Sequence, residues 1–206
     1  MWRILFQKII NGKMVYGKAS GFFCIIQDEQ EEEIPFNKVL ITNNHVLDRN
    51  SIKPKNYIKM IYLNKNKSIQ IQKNRRCFTN EKPVYTCFET FDSNWIEDFF
   101  LIDKIVFTGK KFLLKDEIFI LQYPDEGDLS FSPGKILLVK DKILHQSASI
   151  ENGSSGSPII RRYTKDIIGL HFGGQKSNKI KNDNEDIFIY NLGIPFDSII
   201  NDINYN

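Results

Sequence analysis

The stretch Glu151-Asn152-Gly153-Ser154-Ser155-Gly156-Ser157-Pro158 decides how this chain is interpreted. Ser155 lies between glycines that can adopt backbone angles closed to other residues, so a tight turn can expose its hydroxyl. The amides of Gly153 and Ser155 can then converge on one point, as donors to a developing oxyanion do. A Gly-Ser-Ser-Gly run also occurs in flexible linkers. Here the apolar run Pro158-Ile159-Ile160 follows at once, which is typical of a strand and not of a linker.

Two upstream segments supply the partners that a serine nucleophile needs. Residues 39–47 are an apolar run that ends in a polar turn carrying His45, and residues 95–102 place Asp98 before an apolar run. A serine is a poor nucleophile without a base, and the base needs an orienting carboxylate. The chain order is histidine, aspartate, serine, whereas α/β-hydrolases run serine, acid, histidine. Their Gly-x-Ser-x-Gly elbow is also missing, because Ser157 occupies its last position.

Five segments, in this order, resemble the trypsin-like (chymotrypsin-fold) serine peptidases. The likeness is to their disulfide-free intracellular and bacterial branch, which includes the glutamyl endopeptidases. The segments are Gly21-Phe22-Phe23-Cys24, Leu40-Ile41-Thr42-Asn43-Asn44-His45-Val46-Leu47, Asp98-Phe99-Phe100-Leu101-Ile102, Gly153-Ser154-Ser155-Gly156-Ser157-Pro158 and Gly169-Leu170-His171-Phe172-Gly173-Gly174. The resemblance implies that His45 is the general base, Asp98 the residue that orients it, and Ser155 the nucleophile.

The resemblance also implies the architecture. It predicts an all-β fold of two antiparallel six-stranded β-barrels, with the active site in the cleft between them and a C-terminal helix. Residues 1–109 would form the barrel that carries His45 and Asp98, and residues 110–206 the barrel that carries Ser155. Together they would form one peptidase domain, and neither half could catalyse alone.

Specificity is predicted from the segments that flank the expected substrate pocket. Glutamyl endopeptidases use the histidine that corresponds to His171 to hold the substrate carboxylate, together with a hydroxyl residue five positions before the nucleophile. That position is Ile150 here, and an aliphatic side chain cannot satisfy a buried carboxylate. The backbone of Phe172, Gly173 and Gly174 is expected to pair with the substrate as an added strand. We therefore expect a bulky apolar residue on the acyl side of the cleaved bond, in preference to Glu, Lys or Arg.

Composition limits the remaining functional classes. The chain has 206 residues and a formal net charge of +3, which gives no reason to expect nucleic acid or a membrane as a partner. Its three cysteines cannot all pair, and without a Cys-x-x-Cys motif a metal site has no support. No cofactor is expected. The absence of a disulfide framework and of a signal-peptide pattern predicts a cytoplasmic protein.

Local patterns predict several elements. Asn11-Gly12 between two apolar runs indicates a hairpin. Strands are expected at 14–16 and 21–27, a polar loop without structure at 175–185, and a helix at 195–203, where apolar residues have helical spacing.

Three functions remain open from the sequence, and so does the acid of the triad. The protein could be a serine endopeptidase, a peptide-binding pseudoprotease that kept the cleft, or an esterase with the same triad. An intact His45, Asp98 and Ser155 set favours the peptidase, because a binding module needs none of the three. The alternative acids are Asp92, Glu97 and Asp103.

Overall fold

The structure is a computed structural model. It describes residues 1–10, 13–27, 38–62, 65–82, 84–89, 105–106, 114–124, 127–174, 180–181, 187–188 and 190–205. Asp98, the alternative acids and the predicted junction at 109–110 lie outside the described residues.

The first half of the chain forms one curled antiparallel sheet, with one short strand added in parallel. Its strands are β1 (Trp2–Ile10), β2 (Lys13–Gln27), β3 (Lys38–Thr42), β4 (Tyr57–Tyr62), β5 (Lys65–Gln70), β6 (Cys77–Glu81), β7 (Val84–Glu89) and β8 (Ile105–Val106). Their order is β5-β4-β1-β2-β3-β7-β6, and β8 pairs with β2. The sequence analysis did not predict β6.

Strand β2 differs from the prediction, because one strand of 15 residues replaces the two expected pieces. It pairs with β1 from Ile10 opposite Lys13 onward, which confirms the predicted hairpin, and then pairs with β3. Gly17 lies inside the strand, where a β-carbon would come within 2.2 Å of the Phe6 ring. The glycine therefore makes room for its cross-strand partner.

The second half forms a closed barrel of six strands. They are β9 (Glu117–Gln122), β10 (Ser130–Lys140), β11 (Ile143–Gln146), β12 (Pro158–Arg161), β13 (Ile167–Gly174) and β16 (Asn191–Pro195), in the order β10-β11-β16-β13-β12-β9. Two short strands, β14 (Ile180–Lys181) and β15 (Ile187–Phe188), pair with each other. The prediction of a structureless loop at 175–185 was therefore wrong at β14, whose two residues gave too short an apolar signal to detect.

Helix α1 (Phe196–Tyr205) ends the described chain and confirms the predicted C-terminal helix. It follows the second barrel but also contacts the first half, because the Phe196 ring lies 6.5 Å from that of Phe22. The side chains of Tyr85 and Asn80 hydrogen-bond Asp202 at 3.3 and 3.1 Å. The all-β class with one terminal helix agrees with the sequence prediction.

Three apolar clusters hold the fold together. One fills the sheet of the first half around Ile4 and Leu40, and one fills the second barrel around Ile120 and Ile159. The third lies between the two halves. It consists of Phe22, Cys24, Val39, Ile41, Tyr85, Cys87, Ile160, Ile167, Leu170, Ile194, Phe196, Ile199 and Ile200. Each large side chain buried there contributes roughly 1.5–3 kcal/mol, so the halves are held in a fixed relation to one another.

Candidate active site

The loop that carries Ser155 connects β11 to β12, and its conformation requires its glycines. Gly153 and Gly156 both have φ of +88°, in the left-handed region that side chains disfavour. A β-carbon on Gly156 would lie 2.0 Å from the carbonyl oxygen of Ser20. The Gly-Ser-Ser-Gly run is therefore a tightly packed turn and not a linker.

Hydrogen bonds within this loop set the direction of its free amides. The Ser157 amide donates to the Ser154 carbonyl at 3.0 Å. Because a peptide unit is planar and trans, the Ser155 N–H on the same unit points the opposite way. Within the described part of the chain, neither the Gly153 nor the Ser155 amide donates to a protein acceptor. The loop thus offers two unengaged N–H donors beside a half-buried serine.

Ser154 ties the loop to the second barrel through a neutral network. In secreted relatives of the family that the sequence resembles, an aspartate at this position pairs with a new N-terminus. Here the buried Ser154 hydroxyl donates to Gln122 Oε1 at 2.7 Å, and the Gln122 amide donates to Ser132 Oγ at 3.0 Å. Gln122 was not predicted as a partner of Ser154, because the two residues are 32 positions apart.

His45 lies in a turn that follows β3. The amides of Val46 and Leu47 both donate to the Asn43 carbonyl, at 3.0 and 3.1 Å, and these two side chains are buried. The His45 side chain is exposed. The packed neighbours therefore anchor the turn and leave the imidazole facing solvent.

One carbonyl oxygen joins the His45 turn to the Ser155 loop. The His171 carbonyl accepts a hydrogen bond from Asn43 Nδ2 at 2.8 Å and another from the Gly156 amide at 2.9 Å. Asn43 precedes His45 by two residues, and Gly156 follows Ser155. The histidine turn and the serine loop thus meet across the boundary between the halves. Ser155 Oγ forms no hydrogen bond within the described part of the chain, and catalytic contacts are often long before substrate binds.

His171 is buried and uncharged at neutral pH. Burial lowers the pKa of its imidazole to about 4, nearby His45 acts in the same direction, and a hydrogen bond with the Leu192 backbone acts in the opposite one. Its Nδ1 atom is buried and has no hydrogen-bond partner in the part of the chain that the structure describes. A neutral ring in this position supplies no positive charge to a substrate.

Solved structures supply the decisive comparison for this arrangement. No protein-family profile matches the sequence. The inactive form of the Rv3671c protease aligns with this chain at a TM-score of 0.59 and 14% sequence identity. The alignment covers 97% of this chain and 85% of the Rv3671c chain. A serine-to-alanine variant of Rv3671c from Mycobacterium tuberculosis H37Rv, also inactive, matches 97% and 83%, with a TM-score of 0.56 and 14% identity. A serine endoprotease from Yersinia pestis matches all of this chain and 63% of its own, with a TM-score of 0.62 and 11% identity.

This chain has the trypsin-like serine peptidase fold. The matches extend over nearly the whole sequence, so they include both the curled sheet and the closed barrel. At this level of identity the likeness concerns the fold. The roles of individual residues depend on their own geometry.

Within this trypsin-like fold, Ile150 lies against the C-terminal end of β13, the strand that carries the other predicted substrate-binding residues, and the two form one wall. A β-carbon on Gly174 would lie 3.1 Å from Ile150 Cδ1 and 2.7 Å from Asn191 Oδ1, whereas one on Gly173 would meet nothing within 4 Å. Phe172 is half-buried and packs against the cluster between the halves. Ile150 is therefore the apolar side chain on this wall.

Asn191 was not predicted, and it adds a polar group to the same wall. It is 9% exposed, and its Nδ2 donates to the Ala148 carbonyl at 2.7 Å, which leaves Oδ1 toward Gly174. A single asparagine within the apolar run 187–196 carries no sequence signal for such a position. The structure thus places a neutral acceptor next to Ile150.

A cleft of about 510 Å³ opens beside Gly153. Its lining residues are Leu5, Phe6, Tyr16, Gly17, Lys18, Asn152 and Gly153. The β1–β2 hairpin forms one side of this cleft and the serine loop the other. Asn152 and Gly153 of the serine loop therefore border this cleft directly.

The described residues show no sign of a metal centre or a disulfide. No group of three or more His, Cys, Asp or Glu residues among them is placed to hold a metal ion. Cys24, Cys77 and Cys87 are all free thiols. No helix of the described residues is both long and apolar enough to cross a membrane.

Proposed function

We propose that this protein is a serine endopeptidase that hydrolyses peptide bonds through an acyl-enzyme. One observation supports this most directly. The loop around Ser155 presents two unengaged amides, those of Gly153 and Ser155, within a serine-peptidase fold and next to the His45 turn. A pair of converging amides serves to stabilise an oxyanion. A module that only bound peptides would have no use for it.

In the proposed mechanism His45 acts as the general base. It takes the proton of Ser155 Oγ as that oxygen attacks the substrate carbonyl, and later gives the proton to the leaving amine. The Gly153 and Ser155 amides hold the resulting oxyanion. Asp98 would accept the N–H of the other His45 ring nitrogen and thereby fix the tautomer. No step requires a cofactor or a metal.

The two halves have separate tasks in this proposal. Residues 1–109 supply His45 and Asp98, and residues 110–206 supply Ser155, the oxyanion amides and the substrate strand at 172–174. The proposed substrate is a protein or peptide. The three free cysteines support a cytoplasmic location, because thiols stay reduced there.

Labelling with a fluorophosphonate tests this function. The probe reacts with serines activated by a base, so we expect one adduct on the wild-type chain, and peptide mass spectrometry should assign it to Ser155. Heat-unfolded protein is the control and should not react. A folded chain that neither reacts with the probe nor cleaves any member of a peptide and ester panel would rule out the enzyme. Cleavage of esters alone would indicate an esterase.

The same site predicts the substrate preference. At pH 7.5 we expect kcat/KM to be higher for peptides with Phe, Tyr or Leu on the acyl side of the cleaved bond than for Glu. Ile150 is apolar, Asn191 Oδ1 offers an acceptor, and His171 is neutral. Because the pKa of His171 is about 4, lowering the pH to 5.5 leaves this ring uncharged, and the preference should not shift toward Glu.

Ile150→Thr provides the matched variant for this preference. It restores the hydroxyl that glutamyl endopeptidases carry five residues before the nucleophile, so relative kcat/KM for Glu should rise. Ile150→Val keeps an apolar side chain and serves as the control. Dominant cleavage after Glu by the wild-type enzyme at pH 7.5 would contradict the prediction, and cleavage after Arg would show that the pocket lies elsewhere.

A further inference from the structure

Ser20 reaches from the first half of the chain to both ends of the oxyanion segment, residues 153–155. Its amide donates to the Ser155 carbonyl at 2.8 Å, and its hydroxyl donates to the Gly153 carbonyl at 2.9 Å. The side chain is completely buried. The carbonyls on both sides of Ser154 are therefore held by one residue of β2.

The surroundings of Ser20 fix the direction of these bonds. The Tyr123 amide donates to Ser20 Oγ at 3.4 Å, which directs the hydroxyl proton toward Gly153. The Thr42 hydroxyl donates to the Ser20 carbonyl at 2.8 Å, and Gly156 packs against that carbonyl. Ser20 is thus held rigidly by contacts from β3 and from the second barrel.

The hydroxyl contact matters because Gly153 is a glycine at φ of +88°. The Gly153 carbonyl belongs to the peptide unit that joins Gly153 to Ser154, so the Ser20 hydroxyl holds the Gly153 α-carbon from its C-terminal side. The Gly153 N–H projects from the other side of that α-carbon. Without this anchor the glycine could change its backbone conformation at little steric cost, and its N–H would turn away from the site. Among the described side chains, that of Ser20 alone hydrogen-bonds the Gly153 backbone. The Ser155 amide has a second constraint, since the Ser157 amide holds the Ser154 carbonyl.

We propose that Ser20 is a positioning residue whose hydroxyl keeps the Gly153 amide directed at the oxyanion. This inference rests on the proposed peptidase function and adds a residue from outside the triad. It makes the oxyanion donors depend on contact between the halves. Ser20 itself touches neither the substrate nor the reacting atoms.

Ser20→Ala tests the role of the hydroxyl, because alanine keeps the amide that donates to Ser155. Complete loss of one oxyanion donor lowers kcat by about 10²–10³. In Ser20→Ala the Gly153 donor is still present but poorly directed, so the loss of kcat should be smaller, roughly 10- to 100-fold. KM should stay within twofold of wild type. The inhibition constant of a peptide aldehyde, which forms a tetrahedral adduct on Ser155, should rise by a similar factor. Binding of the cleaved peptide product should stay unchanged.

Two controls separate positioning from folding. All rates are expressed per active site, titrated with the fluorophosphonate, so that unfolded protein does not count. Ser51→Ala removes a half-buried hydroxyl that donates to Asp48 Oδ1 at 2.8 Å and forms no hydrogen bond with residues 153–155 in the described part of the chain, and it should keep wild-type kcat. Ser20→Cys keeps a side chain of similar size with a weaker donor, and it should show the same loss of kcat. It replaces the alanine variant in the test if that variant does not fold.

The outcomes are distinguishable. Lower kcat together with weaker aldehyde inhibition, at unchanged KM, supports the inference. Wild-type kcat per active site in Ser20→Ala, a loss confined to KM, or failure of both Ser20 variants to fold would overturn it in favour of a structural role. If the wild-type chain did not react with the fluorophosphonate, that result would instead rule out the proposed peptidase function itself.

Discussion

Replacing Ser155 with alanine is expected to lower kcat on a peptide substrate by on the order of 10⁶, because nucleophile, base and acid act as one unit. The backbone of the loop should survive, since its hydrogen bonds use main-chain atoms that alanine retains. Substrate KM should therefore change little. The measurement is single-turnover hydrolysis at saturating substrate, with folding checked by circular dichroism.

Ser157→Ala is the matched control for this variant. Ser157 lies two residues further along the same loop, and its buried hydroxyl has no hydrogen-bond partner among the described residues. Removing an unsatisfied buried hydroxyl costs little stability, so this variant should retain nearly full activity. If Ser155→Ala kept wild-type turnover, the nucleophile assignment would be wrong. Equal losses in both variants would show that the loop tolerates no alanine.

Features encoded by neighbouring residues were predictable from the sequence. The β1–β2 hairpin follows from Asn11-Gly12 between apolar runs, and the pairing of Ile10 with Lys13 has the register of a two-residue connection. The serine turn follows from Gly153 and Gly156, which flank Ser154-Ser155 and both have positive φ. In both places a few adjacent residues determine the backbone, so no distant contact had to be known.

Contacts between distant residues could not be predicted in this way. Ser20 and Gly153 are 133 positions apart, and Asn43 and His171 are 128 apart. Each is an ordinary polar residue within its own segment, and only the packing of one half on the other gives it a partner. The two halves meet through the apolar cluster around Leu170 and Phe196, which is likewise not encoded by local spacing.

His171 shows the same limit for electrostatics. The sequence places it in the expected substrate strand, where a charged imidazole would favour an acidic residue. Its burial, which lowers the pKa to about 4, depends on β16 and the serine loop packing around it. Residue type and position alone therefore could not predict that this imidazole is uncharged.

The second large effect is expected at Asp98. Asp98→Asn should lower kcat by on the order of 10⁴, because an amide at this position holds His45 in the wrong tautomer. The rate of fluorophosphonate labelling should fall with kcat, since both reactions need the Ser155 hydroxyl to lose its proton to His45. Substrate KM should stay near the wild-type value, because the orienting acid does not contact the substrate.

Three substitutions of the same chemical kind make this assignment decisive. Asp92→Asn, Glu97→Gln and Asp103→Asn each remove one of the competing carboxylates while keeping the size of the side chain. If the chain is extended where Asp98 precedes the apolar run, adjacent side chains lie on opposite faces, so replacing Glu97 should cost less than about threefold. A loss near 10⁴ in one of these three, with Asp98→Asn close to wild type, would transfer the orienting role to that residue. The His45 and Ser155 assignments would remain intact, because any of the four carboxylates precedes Ser155 and keeps the histidine, acid, serine order.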